Sequence, residues 1–249
     1  MPKFFVESSQ IKDNKIVILG QDVNHIKNVL RKTIGNNIEI CNKDNSQNYL
    51  AEITSINKEK IECKTIKIIE NNTESNIDIT IFQGLPKSDK MELIIQKSVE
   101  LGATRIVPVS MKRCVVKLSE KDEQKKIVRW QKIAEVASKQ CGRSVIPKIG
   151  NVVKVKDICD LILEYDVIFV AYENEEENKL KSELKKIKTC LNEKTKIAIV
   201  IGPEGGLEFD EVQSLKKNGA KVITLGKRIL RTETVALNMI SIINYELES

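Results

Sequence analysis

Charged side chains gather behind two predicted strands in the C-terminal half of the 249-residue sequence. The strand 196–201 leads into the turn GPEGG (202–206), which contains Glu204. The strand 221–225 leads into a segment that contains Arg231 and Glu233. Ligands of an open parallel sheet bind beyond the carboxyl ends of its strands. Two charged segments at such ends therefore indicate a chemical site rather than a solvated face.

Both segments also have a structural interpretation. The GPEGG turn has neither the GxGxxG nor the GK[ST] pattern, and an isolated glycine turn is more often an ordinary strand-to-helix connection. Thr232 or Thr234 would cap the apolar helix that begins at Val235. A site is favoured because four charged residues crowd one strand end beside Glu204: Lys227, Arg228, Arg231 and Glu233.

The residue types limit the chemistry that such a site can perform. The single histidine, His25, and six cysteines without a CxxC pair provide no zinc set and leave little room for Ser-His-Asp or Cys-His catalysis. The chemistry must use carboxylates, Arg, Lys or a cofactor, and we expect no metal. The thiols are expected to be reduced and mostly buried.

The composition indicates a soluble, cytoplasmic protein. No run approaches the ~20 apolar residues of a membrane span, and the start, MPKFFVESSQ, lacks signal-peptide architecture. The 41 basic and 35 acidic residues give a net charge of +6. That balance favours a nucleic-acid partner only weakly.

The elements that must position the site fall into two domains. Residues 1–70 contain short strand-like segments, with a β-hairpin around the turn 57–59, and predict a small β-rich domain of barrel type. One helix interrupts the strands, with Asp22 as its N-cap and an inward face of Val23, Ile26 and Leu30. The polar segment 71–76 is the predicted linker.

After the linker, strands alternate with helices throughout 77–249, which predicts a parallel sheet covered on both faces. The last helix, from Val235 to Leu247, is apolar nearly all round and should be buried on several sides. The predicted strands are 77–83, 104–109, 166–172, 196–201 and 221–225, and the helix after the third carries Leu180, Leu184, Ile187 and Leu191.

These segments resemble the SPOUT superfamily of methyltransferases, and in particular the RsmE family of 16S ribosomal RNA (uracil-N3) methyltransferases. The strongest motifs are IGPEGG (201–206), LG (225–226) and ILRTET (229–234). Further elements occur in the family's order along the chain: HIKNVLR (25–31), QG (83–84), KME (90–92), QKSVELG (96–102), RC (113–114) and QCGR (140–143). Lys227 stands where many relatives have proline, and 173–193 resembles the family least.

The resemblance implies an N-terminal PUA-like barrel and a C-terminal SPOUT domain with a trefoil knot, working as a homodimer through part of the last helix. The knot rests on resemblance alone, because alternating elements suggest an ordinary doubly wound sheet and knots are nearly absent from folds. The implied cofactor is S-adenosylmethionine. Backbone groups of three loops would enclose it at Tyr172, Ile201, Gly202, Gly205, Leu225, Gly226, Ile229 and Leu230. At positions 202 and 226 a β-carbon would collide with that ligand.

The implied reaction requires loss of the imide proton of uracil N3. Glu204 and Glu233 are both candidates to accept that proton, and the residues alone do not rank them. Arg231 could stabilise charge that develops on the uracil oxygens, or instead hold a phosphate or the cofactor carboxylate.

The implied partner is 16S ribosomal RNA within the small subunit. Lys27 and Arg31 are four residues apart, so one face of the first helix would present both, although a solvated helix face is as good an interpretation. The candidate RNA-binding residues are His25, Lys27, Arg31, Arg113, Lys117 and Arg143.

Three other functions fit parts of the pattern. A SPOUT relative could methylate a ribose 2′-hydroxyl, but the β-rich first domain and the LRTET segment argue against it. An RNA-binding assembly factor with a decayed site conflicts with the intact glycines of 202–206 and with Gly226. A nicotinamide-dependent dehydrogenase would need the dinucleotide fingerprint, which the sequence lacks.

Overall fold

The computed structural model describes residues 3–70, 73–190 and 194–248. The chain forms two compact units, an N-terminal unit of Met1–Glu74 with Ser138–Ile146 and a C-terminal unit of Ser75–Ala137 with Pro147–Ser249. The segment Ser138–Ile146 thus packs with the first unit, although it follows the predicted linker by more than 60 residues. Asn71 and Asn72 of that linker, and Leu191, lie outside the described residues.

The N-terminal unit is a mixed six-stranded sheet of the predicted barrel type. Its strand order is β1-β4-β5-β6-β3-β2, and β1 pairs parallel with β4 while the other pairs are antiparallel. The predicted hairpin is confirmed, with the Asn57 side-chain oxygen accepting hydrogen bonds from the N–H groups of Glu59 and Lys60. The strands are β1 (Lys3–Val6), β2 (Ile11–Lys12), β3 (Lys15–Leu19), β4 (Asn37–Asn42), β5 (Asn48–Ile56) and β6 (Lys60–Ile69).

The first helix, α1 (Gln21–Asn24), continues as a π-helical turn over His25–Val29. Its inward face is as predicted, but Gly20 is the N-cap, and Asp22 instead pairs with Lys139 at 2.9 Å. The prediction that Lys27 and Arg31 share a helix face is wrong. The helical turns end before Arg31, which takes a left-handed backbone conformation with φ 51°.

The C-terminal unit has the predicted parallel sheet, with every strand pair parallel. Its strands are β7 (Ile77–Gly84), β8 (Arg105–Ser110), β9 (Lys148–Ile149), β10 (Val153–Lys154), β11 (Val167–Ala171), β12 (Thr195–Ile201) and β13 (Lys221–Ile223). The order is β10-β8-β7-β12-β11-β13, with β9 beside β8. Because β12 lies between β7 and β11, segments that follow distant parts of the chain meet at one sheet edge.

The helices after α1 are α2 (Lys90–Glu100), α3 (Glu120–Cys141), α4 (Val155–Asp160), α5 (Leu180–Lys188), α6 (Phe209–Lys217) and α7 (Thr232–Leu247). Arg231 is the N-cap of α7, without a side-chain cap, so the prediction that Thr232 or Thr234 caps this helix is wrong. The helix buries Ala236, Met239, Ile240, Ile243 and Leu247, whereas Tyr245 is exposed. None of the helices in the described parts of the chain is long and apolar enough to span a membrane.

Candidate active site

A large cleft opens at the carboxyl ends of β11, β12 and β13, with a volume of about 1330 Å³. The segments that follow β11, β12 and β13 line it together, which confirms the expectation that these strand ends share one edge. Glu204 and Arg231 line the cleft, whereas Glu233 is not one of its lining residues. All eight residues predicted to hold the cofactor line it: Tyr172, Ile201, Gly202, Gly205, Leu225, Gly226, Ile229 and Leu230.

The two glycines for which a ligand clash was predicted differ in what they require. A β-carbon on Gly202 would lie 2.7 Å from the carbonyl carbon of Gly206, so the folding of the turn itself demands glycine there. Gly226 has a φ of +111°, a backbone conformation that side chains disfavour, and a β-carbon there would meet no atom within 4 Å. Gly202 is therefore required by the turn itself, Gly226 leaves open space at the cleft, and the clash with a ligand stays a prediction at both positions.

A buried polar tie joins the segments behind the cleft. The Thr232 hydroxyl donates a hydrogen bond to the Gly202 carbonyl at 2.7 Å, and the Gln83 side-chain amide donates to the Thr232 oxygen at 2.8 Å. Gln83 is fully buried and Thr232 is 5 % exposed. The tie fixes the ends of β7 and β12 and the start of α7 relative to one another. A glutamine that ends the apolar run IDITIFQ was the sequence signal for it.

An ionic cluster joins the same segments at the cleft. The Lys90 ammonium lies 3.1 Å from Glu204 Oε1 and 3.3 Å from Glu233 Oε2. The Glu204 carboxylate also accepts hydrogen bonds from the backbone N–H of Lys87, at 3.1 and 3.3 Å. Lys90 was not predicted as a site residue. It stands in the KME motif, but nothing in its spacing indicates that it faces two glutamates.

The cluster keeps the Glu204 carboxylate and the Lys90 ammonium charged. Burial alone would raise the pKa of the Glu204 carboxyl, but hydrogen bonds from its own N–H and from the Lys87 N–H, together with the Lys90 ammonium, hold that pKa below its ordinary value. The hydrogen bond to Glu204 raises the pKa of Lys90 against the opposing effect of burial, and Glu233 adds to the rise. Glu204 is therefore an ionised acceptor at neutral pH.

Arg113 stabilises the GPEGG turn from outside. Its Nε lies 2.9 Å from Glu208 Oε1, and its Nη1 donates to the Gly205 carbonyl at 2.9 Å. The hydrogen bond to Glu208 raises the pKa of Arg113. Arg113 was predicted to bind RNA. In the structure its guanidinium already contacts Glu208 and the Gly205 carbonyl.

The remaining candidates for RNA binding differ in accessibility. The Arg143 side chain is 5 % exposed and pairs with Glu74 at 2.6 Å. A buried, paired guanidinium does not reach a phosphate, so the prediction for Arg143 is not supported. His25 is half-buried with its ring against Phe4, whereas Lys27, Arg31 and Lys117 are exposed.

The cysteines follow the expectation in part. All six are free thiols, and Cys41, Cys63 and Cys114 are buried, whereas the other three are partly or fully exposed. Burial raises the pKa of Cys63 to about 12. Within the described residues there is no group of three His, Cys, Asp or Glu side chains suited to a metal ion.

Comparison with protein families identifies the class of protein to which the chain belongs. Residues 73–244 match a family described as the RNA methyltransferase domain, and residues 18–66 match the RNA methyltransferase PUA domain. The parallel sheet with its cleft and the small β-rich unit thus define a two-domain RNA methyltransferase.

Individual relatives narrow the class. The chain is 38 % identical to ribosomal RNA small subunit methyltransferase E of Bacillus subtilis, over 100 % of this chain and 98 % of that protein. It is 33 % identical to the protein of the same name from Mesomycoplasma hyopneumoniae, over 97 % and 98 % of the two chains. A crystal structure of the Neisseria gonorrhoeae protein of that name, bound to S-adenosyl methionine, superposes with a TM-score of 0.85 at 29 % identity, covering 98 % of this chain and 97 % of that one. The chain belongs to the ribosomal RNA small subunit methyltransferase E family, which confirms the predicted resemblance. The trefoil knot and the homodimer stay predictions.

Proposed function

We propose that this protein transfers the methyl group of S-adenosylmethionine to N3 of a uridine in 16S ribosomal RNA of the small subunit, in the cytoplasm and as a homodimer. The observation that carries the proposal is the cleft, which is lined by the eight residues expected to hold the cofactor, by an ionised Glu204 and by an exposed Arg231. The named relatives support both the reaction and its substrate.

The residues of the cleft fit the cofactor. Ile229 is an apolar side chain that is 86 % exposed within the lining, as expected for a surface that a ligand covers. Space is open above Gly226, and the carboxylates of Glu173 and Glu204 suit a cationic ligand. S-adenosylmethionine, when bound, supplies a methyl group activated by a sulfonium. The backbone at Tyr172, Leu225 and Leu230 would hold it.

The proton of N3 needs an acceptor that reaches the cleft, and geometry is the first criterion for that role. Glu204 lines the cleft, whereas Glu233 lies outside its lining with its Oε2 atom buried. We therefore assign Glu204 as the acceptor, a role that typically contributes about 10²–10⁴-fold to the rate. The pKa of Glu204 lies below the ordinary value of a glutamate, so Glu204 stays ionised at neutral pH. It loses this role only when the pH falls through that lowered pKa.

Arg231 is the cation for charge that develops on the uracil oxygens. It is exposed, lines the cleft and stands at the N-cap of α7, where the helix dipole adds positive potential. The guanidinium donates hydrogen bonds in a fixed plane, which suits a carbonyl oxygen that becomes negative in the transition state.

RNA binding would use both domains. We propose that residues 1–70 form the PUA-like RNA-binding domain, 71–76 the linker and 77–249 the methyltransferase domain. The exposed Lys27, Arg31 and Lys117 would contact phosphates, with weaker binding at higher salt.

The test is methyl transfer from radiolabelled S-adenosylmethionine to small ribosomal subunits from cells that lack this gene, followed by nucleoside analysis. We expect label in 3-methyluridine. Arg231→Ala should lower kcat by about 10²–10³-fold, and Glu204→Gln should lower it far more than Glu233→Gln. Asp210→Asn is the control, because Asp210 is an exposed carboxylate in the first turn of α6 that pairs with Lys112. Label on a ribose would instead support the 2′-hydroxyl reaction.

A further inference from the structure

Lys90 lines the cleft and contacts two glutamates, but the proposed function gives it no role so far. It is the first residue of α2, and its ammonium contacts Glu204 from the turn after β12 and Glu233 from the first turn of α7. The side chains of Lys90, Glu204 and Glu233 are 31 %, 28 % and 16 % exposed. One cation thus joins three segments at the wall of the cleft.

We propose that Lys90 is a positioning residue for proton transfer: it holds Glu204 in place at the cleft and uses Glu233 as its anchor on α7. This inference rests on the proposed function, in which Glu204 accepts the proton. An ammonium has three donors, so it can hold both carboxylates at once. Without it, two like charges would face each other across the same gap, and each would disfavour ionisation of the other.

Lys90 is the positive side chain that most favours the ionised form of Glu204. The hydrogen bonds that raise the pKa of Lys90 come from Glu204 and Glu233, against the effect of burial. Those that favour ionised Glu204 are Lys90 and two backbone N–H groups, its own and that of Lys87. The Cys114 thiol is near enough for the charge of Glu204 to contribute to its raised pKa, after the larger effect of burial. Replacing Lys90 by a neutral side chain therefore leaves Glu204 with backbone donors and a negative neighbour.

The alternative is that the Lys90 ammonium only stabilises the fold. Partly exposed ion pairs contribute little to stability. The buried tie of Gln83, Thr232 and Gly202 already joins the same segments without charge. A second, ionic link at the cleft wall is therefore expected to matter for Glu204 and its protonation rather than for folding.

The experiment compares Lys90→Met and Lys90→Arg with the wild type, with kcat and KM measured for S-adenosylmethionine and for small subunits across pH. Lys97→Met is the matched control, because Lys97 is an ion-paired lysine near the other end of α2. For Lys90→Met we expect kcat to fall about 3-fold at about pH 5, the effect of a Glu204 pKa raised by about 1 unit, with little loss at about pH 8 and little change in either KM. Lys90→Arg should recover most of the rate.

A double variant sharpens the test. In Lys90→Met with Glu233→Gln the second negative charge is gone, so the rate at about pH 5 should rise above that of Lys90→Met alone. A loss of rate that is equal at both pH values, or a double variant no better than the single one, would overturn the inference. A collapse of cofactor affinity in Lys90→Met would do the same, since it would make Lys90 a binding residue.

A measurement that does not need turnover separates this inference from the proposed function. Carbon-13 NMR titration of the Glu204 carboxyl should show its pKa rising by about 1 unit or more in Lys90→Met, the effect of losing an adjacent opposite charge. An unchanged titration overturns the inference. Absence of 3-methyluridine with wild-type protein would reject the proposed reaction while the titration still decides the role of Lys90 in charging Glu204.

Discussion

Replacing Thr232 by valine tests whether the buried tie holds the cleft together. Valine has nearly the same shape as threonine but no hydroxyl, so the Gly202 carbonyl loses its 2.7 Å donor and the Gln83 amide loses its 2.8 Å acceptor. A buried polar group left without its partner costs about 1–3 kcal/mol. The Gly202 carbonyl is the group most affected, because the Gln83 amide nitrogen keeps its hydrogen bond to the Gly84 carbonyl at 3.0 Å and lies 3.5 Å from the Gly202 carbonyl. We therefore expect a loss of about 2 kcal/mol in the free energy of unfolding.

The single tryptophan, Trp130, allows this loss of stability to be measured in the C-terminal unit. Trp130 is 3 % exposed and belongs to the C-terminal unit, so its fluorescence in urea reports the unfolding of the unit that contains the cleft. Calorimetric titration with S-adenosylmethionine should show weaker binding in the same variant, because the turn that contains Gly202 lines the cleft.

The neighbouring threonine provides the control. Thr234 is exposed in the same helical turn, and Thr234→Val should stay within about 0.5 kcal/mol of the wild type. If Thr232→Val is as stable as the wild type, or if both variants lose the same amount, the tie does not stabilise the site and the reasoning fails.

Three other perturbations have expected outcomes. Gly202→Ala must displace the backbone of Gly206 and should weaken cofactor binding about 10-fold by calorimetry, with a smaller effect for Gly205→Ala, whose β-carbon would meet Arg113 Cβ at 3.2 Å. Arg143→Ala leaves Glu74 partly buried without its cation and should cost about 3 kcal/mol by thermal unfolding; unchanged stability with lost RNA affinity would restore the RNA-binding interpretation. Cys63, with its pKa raised from 9.0 to about 12, contributes stability that is complete below pH 9.0 and lost as the pH rises towards about 12. At about pH 8, mass spectrometry should therefore find Cys190 alkylated and Cys63 protected.

The sequence predicts the sheet and its functional edge well, because both follow from local patterns. Buried parallel strands are continuous apolar runs such as KIAIVI (196–201), and their carboxyl ends must share one edge whatever the strand order. Charged residues at two such ends therefore had to lie at the same edge of the sheet, and the cleft contains both Glu204 and Arg231.

Strand order is what the local patterns leave out, and Lys90 depends on it. Its position after β7 matters only because β7 lies next to β12, so that α2 starts beside the GPEGG turn. Arg143 shows the same limit in the other direction. It follows a glycine at the end of a basic helix and looks solvent-exposed, but its partner Glu74 is 69 residues away in sequence. Pairing at that separation is decided by tertiary packing.

Two links thus join the same three segments at the cleft, and each segment contributes one residue to each link. Gln83 and Lys90 flank the loop after β7, Gly202 and Glu204 belong to one turn, and Thr232 and Glu233 are adjacent at the start of α7. The inner link consists of neutral hydrogen bonds and does not respond to pH, whereas the outer link consists of charges at the cleft wall. Because the inner link fixes the backbone, loss of the outer link should change the protonation of Glu204 more than the shape of the site. This separation is why an acid–base role for the outer cluster can be tested without dismantling the fold.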